Sequence, residues 1–452
     1  MNKYSLGALA AAGLLMGGLT VGSANAADLG GDCCADLEER VAELEATTAR
    51  KGNRKVSLTI SGFVAQQVLA WDDGQESNVY ITDTGSISIG THVAFSGKAQ
   101  ISPDVSAGFV IKIETMNNDS LTVSQNVDDS GNAFSSAGSP ISLESAYWFL
   151  KSETYGRVSV GQQSGAADNQ AIIVDGSGTL VQANYVLYDV NGFFLRRNDG
   201  ALSGVNMGAL ATCQTFGDTL GAAADCEGDP NNNVRYDTPT FAGFAASASW
   251  GEDDVWGVSG RYAGEFAGFK VAAAVAYTHR SDDNGAPIAR ANGGLDAAAF
   301  QTGGYIEHTG TGLFVYGAYS FEEHDVTNSA RLLGRGNPDG DNWYVKAGIK
   351  QKWSPLGTTA IYGEYGENND KLAASLFDAG VNTSNLEQYG IGIVQNIDAA
   401  AMQVWLAWRH YEADDIGCAD VAAGSCAAVG LNNGTTSFED FDVIKAGALI
   451  AF

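Results

Sequence analysis

The sequence predicts an all-β chain: a 16-stranded antiparallel transmembrane β-barrel preceded by a short N-terminal coiled-coil helix. Three observations carry that expectation. Apolar residues alternate with small or polar ones from Lys55 to the end, the connections alternate between short turns and long acidic loops, and the chain closes on an apolar strand ending in Phe452. The composition excludes other classes. Among 452 residues, 53 are acidic and 25 basic, a net charge of −28 that suits no nucleic-acid binder, because a polyanion needs Lys and Arg to neutralise it. Apolar residues make up 45% and aromatics 10%, too many for a disordered acidic chain. No run of about 18 apolar residues follows position 26, so a helical membrane crossing is excluded.

Residues 1–26 read as a signal peptide. Lys3 supplies the positive start, Leu6 to Val21 the apolar run, and Ala24-Asn25-Ala26 the small-x-small cleavage site. Residues 27–54 form an N-terminal segment on the periplasmic side, with a helix expected over 34–50. Placing Leu37 and Leu44 at d positions puts Cys34, Val41 and Thr48 at a, with Arg40 at g and Glu45 at the following e. Two heptads are too short to be stable alone, so a coiled coil here needs support from a larger downstream assembly. Export permits disulfides. Cys213–Cys226 and Cys418–Cys426 are the candidate pairs, each within a Gly- and Ala-rich stretch; the adjacent Cys33 and Cys34 cannot easily bridge each other. Cys34, at an inward coil position, is a candidate for cross-linking protomers.

Residues 55–452 are read as the barrel. Val56 to Ser61, Ile87 to Phe95 and Trp343 to Lys350 are period-2 runs, and the segments have about the ten residues a tilted membrane strand needs. Sixteen strands are expected at 56–71, 86–101, 106–116, 141–151, 157–163, 233–240, 243–251, 256–264, 268–279, 300–308, 312–321, 342–353, 357–367, 386–397, 400–412 and 438–452. Short turns such as Ser102-Pro103-Asp104, Thr309-Gly310-Thr311 and Ser354-Pro355-Leu356 fall on one rim. Long loops near 72–85, 117–140, 164–232, 280–299, 322–341, 368–385 and 413–437 fall on the other, with one short connection at 252–255. That asymmetry belongs to a barrel in the outer membrane of a Gram-negative cell. The eight Trp lie within or at the ends of these strands, as interface girdles require, and Ile444, Ala446, Ala448, Ile450 and Phe452 form one apolar face.

If the apolar side of each strand meets lipid, the opposite side carries a basic wall: Lys98, Lys112, Arg157, Arg235, Arg261, Lys270, Lys346, Lys350, Lys352, Arg409 and Lys445. A charge facing lipid costs about 2–4 kcal/mol at the midplane, which explains their direction. Loop 164–232 is too long to stay structureless in a compact fold, and its patches Val181, Tyr185, Val186, Tyr188, Phe193 and Phe194 suit packing inside the barrel. With Asp168, Asp175, Asp189, Asp199, Arg196 and Arg197 it is the candidate constriction loop, its acids expected to face the basic wall across the channel and set up a transverse field.

No catalytic signature is present: Gly161-Gln162-Gln163-Ser164-Gly165 lacks the spacing of a nucleophile elbow, and neither a P-loop nor an H-E-x-x-H motif occurs. The five His are scattered, with His324 and His410 near strand–loop boundaries. An enzyme is not expected. The Cys spacing fits no zinc site. Asn337 to Asn342 and Asp128 to Asn132 have the oxygen density of a calcium site, but neither completes an EF-hand loop, so both read first as solvated acids and no cofactor is expected.

The stretch Asp36 to Leu58, with its Glu-Arg-Val-Ala-Glu-Leu-Glu core, resembles the N-terminus of alphaproteobacterial (rhizobial-type) porins, and Gly192 to Arg197 and the Phe452 ending look similar too. The resemblance implies a homotrimer of 16-stranded barrels in outer-membrane lipid, each passing small hydrophilic solutes and ions by passive diffusion, with 164–232 as the inward loop. Alternatives are a substrate-specific channel for sugars or carboxylates, and a barrel that anchors an adhesin or receptor.

Overall fold

A sheet whose strands alternate between lipid and water can satisfy every backbone N–H and C=O within a membrane only by closing on itself. In the computed structural model the closure is complete. The structure describes residues 55–85, 90–115, 117–128, 141–211, 230–282, 295–324, 339–372, 374–413 and 415–452. The signal segment, the expected coiled coil, Cys33, Cys34, Cys213 and Cys226 lie outside them.

Sixteen antiparallel strands form the wall: β1 (Ser57–Asp72), β2 (His92–Gln100), β3 (Val105–Thr115), β4 (Ile141–Ser152), β5 (Gly156–Gln163), β6 (Asn231–Asp237), β7 (Phe244–Gly251), β8 (Val255–Phe266), β9 (Phe269–Asp282), β10 (Leu295–His308), β11 (Leu313–His324), β12 (Gly340–Ser354), β13 (Gly357–Asn369), β14 (Asn385–Ile397), β15 (Met402–Ala413) and β16 (Phe441–Ala451). Each strand pairs with its chain neighbours, and β16 pairs with both β15 and β1, setting Phe63 opposite Ala451. The backbone of Phe452 extends the seam by exchanging two hydrogen bonds with Gly62.

The alternation reads directly as burial. On β15 and β16 the side chains of Leu406, Ile444 and Ile450 face outward and are about half exposed to the lipid side, whereas Trp405, Lys445 and Leu449 point inward and are buried. Gly447 sits under the ring of Trp405, whose Cζ2 would lie 2.4 Å from an added Cβ, so a bare backbone is required there. Trp148, Trp250, Trp256 and Trp353 are exposed on the outside. The expectation that all eight Trp form girdles is corrected at Trp71 and Trp405, which are buried inside the barrel, Trp71 among Tyr80, Phe193 and Phe441.

The stretch 72–85, expected as a loop, contains a strand. Ser77–Thr82 pairs with the upper half of β1, from Gln67 opposite Thr82 to Asp72 opposite Ser77, while the lower half of β1 pairs with β2. The reversal at 72–76 is built from side-chain acceptors: Asp72 takes the amide of Gly74, and Asp73 those of Gln75 and Glu76. Such Asx-type turns hide a hairpin inside an acidic, Gly-containing run. The expected second strand, 86–101, is correspondingly shorter, as β2.

At the long-loop rim a small three-stranded sheet (Val381–Thr383, Ile416–Cys418, Gly434–Thr436) forms a cap, stapled by the disulfide Cys418–Cys426. Beneath it an apolar cluster including Trp71, Phe193, Leu210, Leu376, Ile416 and Phe441 fills one side of the mouth. A second cluster, halfway down, packs Ile172, Val174, Tyr185 and Val186 against Tyr316, Tyr344, Tyr362 and Trp405 of the wall.

Candidate pore constriction

The segment after β5 runs back into the barrel. Its only described α-helical turn, α1 (Gln170–Ile173), is held by backbone-to-wall bonds: Gln301 of β10 accepts from Ala171 N and donates to Ala167 O, and the Tyr316 hydroxyl of β11 donates to Ala171 O. Apolar side chains of this segment cover wall aromatics, and its polar groups meet wall cations. Burial and pairing therefore act together to press it against β10 to β16.

The sequence leads one to expect acids facing the basic wall across water; Asp175 and Asp189 instead touch it. Asp175 lies 2.6 Å from Lys346 Nζ, which also donates to Thr179 Oγ1 and Ala183 O. Asp189 accepts from Arg409 Nη1 at 3.1 Å, from the Tyr411 hydroxyl at 2.8 Å, and from Lys445 Nζ, which also donates to Gln182 O. Arg409 forks onto Glu364 of β13 as well, at 3.0 and 2.8 Å, and Glu364 takes the Tyr344 hydroxyl. All of these charges are buried. Lys350 bonds Gly176 O and Glu307, which Lys270 also approaches at 3.6 Å. Asp168 is buried with Asn169 donating to it at 2.8 Å. The correction concerns Lys346, Arg409 and Lys445: these cations anchor the segment and do not line water.

Arg196, Arg197 and Asp199 are corrected as well. They sit on a hairpin, Phe194–Arg196 with Leu202–Asn206, at the long-loop rim rather than at mid-channel. Arg196 donates to Asp73 Oδ2 at 3.1 and 2.8 Å and to Glu76 Oε2 at 2.9 Å, clamping the hairpin to the 72–76 turn. Burial pushes the Asp73 carboxyl upward, but the Arg196 guanidinium and the turn amides outweigh it and hold the group below its ordinary value. Arg197 pairs with the exposed Asp199 and bonds Gly430 O of the cap. Length and polarity gave no signal for which part of a long loop turns inward.

The remaining wall cations fall into three settings. Lys352 pairs with Asp398 on the exposed short-turn rim, next to a register shift between Gln351 and Ser354. Lys112 is buried against Glu144, an acid that sits where β4 shifts register. Lys98 is exposed near the start of the barrel. Arg157, Arg235 and Arg261 gather on β5, β6 and β8 around a single acid, Asp237. Arg235 Nη2 lies 2.9 Å from Asp237 and Arg157 Nε 3.4 Å, and the half-buried Arg261 is within electrostatic range of all three. Ser247 fixes the carboxylate at 2.7 Å, and Arg235 bonds the carbonyls of Ser164 and Gly165 where the inward segment begins. Arg157 lies over Tyr147 and Phe149, 5.8 and 5.6 Å from their ring centres, and keeps about a third of its side chain exposed.

The inward segment touches this cluster where it begins, through the carbonyls of Ser164 and Gly165. Its partly exposed residues include Ile173, Leu180 and Val181, while Asp175 and Asp189 point back into the wall. The acids that complete these networks, Asp237, Glu307 and Glu364, were missed in the sequence. Each shares the inward side with its partner, but pairing them requires the strand register.

Of the calcium candidates, residues 129–132 and 337–338 lie outside the described residues. Asn342 of the second run is turned inward, accepting from Ser320 and approaching Tyr185 O.

Residues 8–414 match the sequence profile described as Gram-negative porin. No curated protein matches the chain. Among solved structures, the fold is similar to an anion-selective porin from Comamonas acidovorans, with 16% identity and a TM-score of 0.55, covering 88% of this chain and 100% of that one. It is also similar to OmpF of Salmonella typhi in complex with daunomycin, with 14% identity and a TM-score of 0.50, covering 88% and 98%.

Proposed function

This chain belongs to the Gram-negative porin family and forms a multi-pass outer-membrane channel for diffusion of small hydrophilic solutes and ions, and from that premise we propose that its narrowest part favours anions. The observation that supports this reading is the cluster of Arg157, Arg235 and Arg261 around one carboxylate, while Asp175 and Asp189 of the inward segment are consumed in buried pairs elsewhere on the wall. Formally the cluster carries three positive charges against the single negative charge of Asp237. A unit charge about 5 Å from a passing ion is worth on the order of 1 kcal/mol at water-like dielectric, enough for a several-fold preference. The acidic loops oppose this at the mouth, but their reach is about 3 Å at 1 M salt and about 10 Å at 0.1 M. Selectivity is therefore set by the cluster at high salt and drawn toward cations as salt falls.

We also propose a homotrimer of alphaproteobacterial type in outer-membrane lipid, resting on the resemblance of Asp36 to Leu58, and a channel that needs neither cofactor nor catalytic residues. Planar-bilayer recording tests the reading. The expected result is a weakly selective ohmic conductance in groups of three steps, with a zero-current potential of anion sign in a KCl gradient. Substrate-saturable block would indicate a specific channel, and no conductance an anchor for an adhesin or receptor.

A further inference from the structure

Outside the channel, at the long-loop end of β15 and β16, four side chains converge that the pore does not use. His410 and Glu412 are two apart on β15, and Asp440 and Asp442 two apart at the start of β16; period-2 geometry puts all four on the outer face. His410 is opposite Asp442 in the register and Tyr411 opposite Phe441 at its last step, and the Glu412 and Asp440 carboxylates both reach the His410 ring from just beyond it. Like charges facing one another across a strand pair are destabilising unless something lies between them.

The bonding of His410 shows what is wanted there. Its Nδ1 lies 2.9 Å from Asp442 Oδ1. An ionised carboxylate only accepts, so Nδ1 donates to it, and Nε2 is the nitrogen left to meet the other carboxylates. Nε2 faces two more carboxylates, Glu412 Oε1 at 3.2 Å and Asp440 Oδ2 at 3.8 Å. One ring nitrogen and two carboxylate oxygens thus converge, all within 4.8 Å of one another, around a gap that either a proton on Nε2 or a cation can fill. A tetrahedral ion with ligand bonds of about 2.0–2.1 Å has edges of about 3.3 Å, between the two distances observed.

We propose that His410, Glu412 and Asp440 form a site for a first-row transition-metal dication of the zinc class. Asp442 is the positioning residue. It is held in turn by Trp408 Nε1 at 2.8 Å, and Glu412 by the Tyr389 hydroxyl at 3.2 Å, so both the imidazole and one carboxylate are oriented from outside the site. A carboxylate–imidazole–metal relay of this kind fixes the tautomer and strengthens the nitrogen ligand. The imidazole nitrogen and the small number of protein ligands favour zinc over calcium, which takes six to eight oxygens. Tyr389 and Trp408 flank the ring, with centres 4.9 and 6.1 Å away, and leave the carboxylates toward the solvent side. An ion here would tie β15 to the first residues of β16, the strand that closes the barrel on β1.

The test uses full-length, tag-free, refolded protein stripped with chelator, titrated with zinc and separately with calcium by calorimetry. The expected result is one zinc per chain, at least ten-fold weaker binding in H410A and in E412Q, and ten- to hundred-fold weaker binding in D442N, with calcium not competing. D440N serves where another variant fails to refold, folding being checked by circular dichroism. The absence of a saturable zinc site in the wild type, or zinc affinity unchanged in H410A, would overturn the proposal. Neither result bears on the channel reading, because the four side chains lie outside the pore.

Discussion

Two arcs of one inner wall use the same residue types for opposite ends. Along β12, β15 and β16, Lys346, Arg409 and Lys445 are buried and bonded to Asp175, Asp189 and Glu364. Along β5, β6 and β8, Arg157, Arg235 and Arg261 outnumber Asp237, and Arg157 keeps contact with water. The first arc holds a loop in place; the second is left with charge to act on a passing ion. A count of cations by orientation does not distinguish them, because what matters is whether a counter-charge reaches each cation. Burial decides the energetics. Removing one partner of a buried pair leaves an uncompensated charge and costs about 3–5 kcal/mol, whereas a partly exposed pair contributes about 0–1 kcal/mol.

The largest effect is therefore expected in the loop-holding arc. D189N leaves Lys445 without its carboxylate and Arg409 with Glu364 alone, and K346M strands Asp175. Each should weaken loop docking by about 3–5 kcal/mol, seen as a larger and noisier single-channel conductance and a lower melting temperature. An unchanged conductance would mean that apolar packing alone holds the loop. In the other arc, R157Q and R261Q should shift the permeability ratio several-fold toward cations while moving the melting temperature little; a large loss of stability would place these residues in the first class. Their effects should add incompletely, because all three arginines share Asp237.

A smaller effect is expected at a buried acid just past the Ser77–Thr82 strand. The buried Asp83 carboxyl is pushed up to about 7, first by burial and then by Asp119, although the amides of Gly85 and Ser120 oppose the shift. An acid whose folded value lies above its unfolded value stabilises the fold when protonated, and that contribution is lost as pH rises from about 4 through about 7. Asp73 shifts the other way, so its clamp on Arg196 is present above the ordinary carboxylate value near 3.8 and lost below it. D83N should raise the melting temperature at pH 8 and leave it unchanged at pH 4. The smallest effects concern the short turns, which carry Ala242, Ala267 and Ala401 at φ of 50°, 50° and 46°. Left-handed backbone at a non-glycine residue costs about 1 kcal/mol, so each Ala→Gly change should raise the melting temperature slightly and leave both conductance and selectivity alone.

Much of the barrel was legible because a strand in a membrane has one rule, apolar out, and it repeats every second residue. Leu406, Ile444 and Ile450 obey it, as does the exposed ring of Phe452. The rule fails where a strand outgrows the bilayer. The upper half of β1 turns Trp71 inward under a cap and pairs with Ser77–Thr82, a hairpin masked by its acidic turn. In the candidate site, the aromatic patches of loop 164–232 suggested an inward course, and Tyr185, Val186 and Tyr188 are buried. The partners were not legible. Asp189 meets Lys445 across 256 residues and Arg409 across 220, and no local pattern encodes such a contact. Charge in a long loop carries no depth, so the sequence alone sets Arg196 and Arg197 in the channel; only their contacts with Asp73 and Gly430 place them at the rim.

The central claim is that Asp175 and Asp189 of the inward loop are spent on the wall, which leaves the three arginines to set selectivity. It is tested most directly by the zero-current potential at high salt, where the external loops are screened, for the wild type beside the triple variant R157Q/R235Q/R261Q. The account predicts anion sign for the wild type and a potential near zero or reversed for the variant. Cation sign in the wild type, or equal potentials in the two proteins, would contradict it.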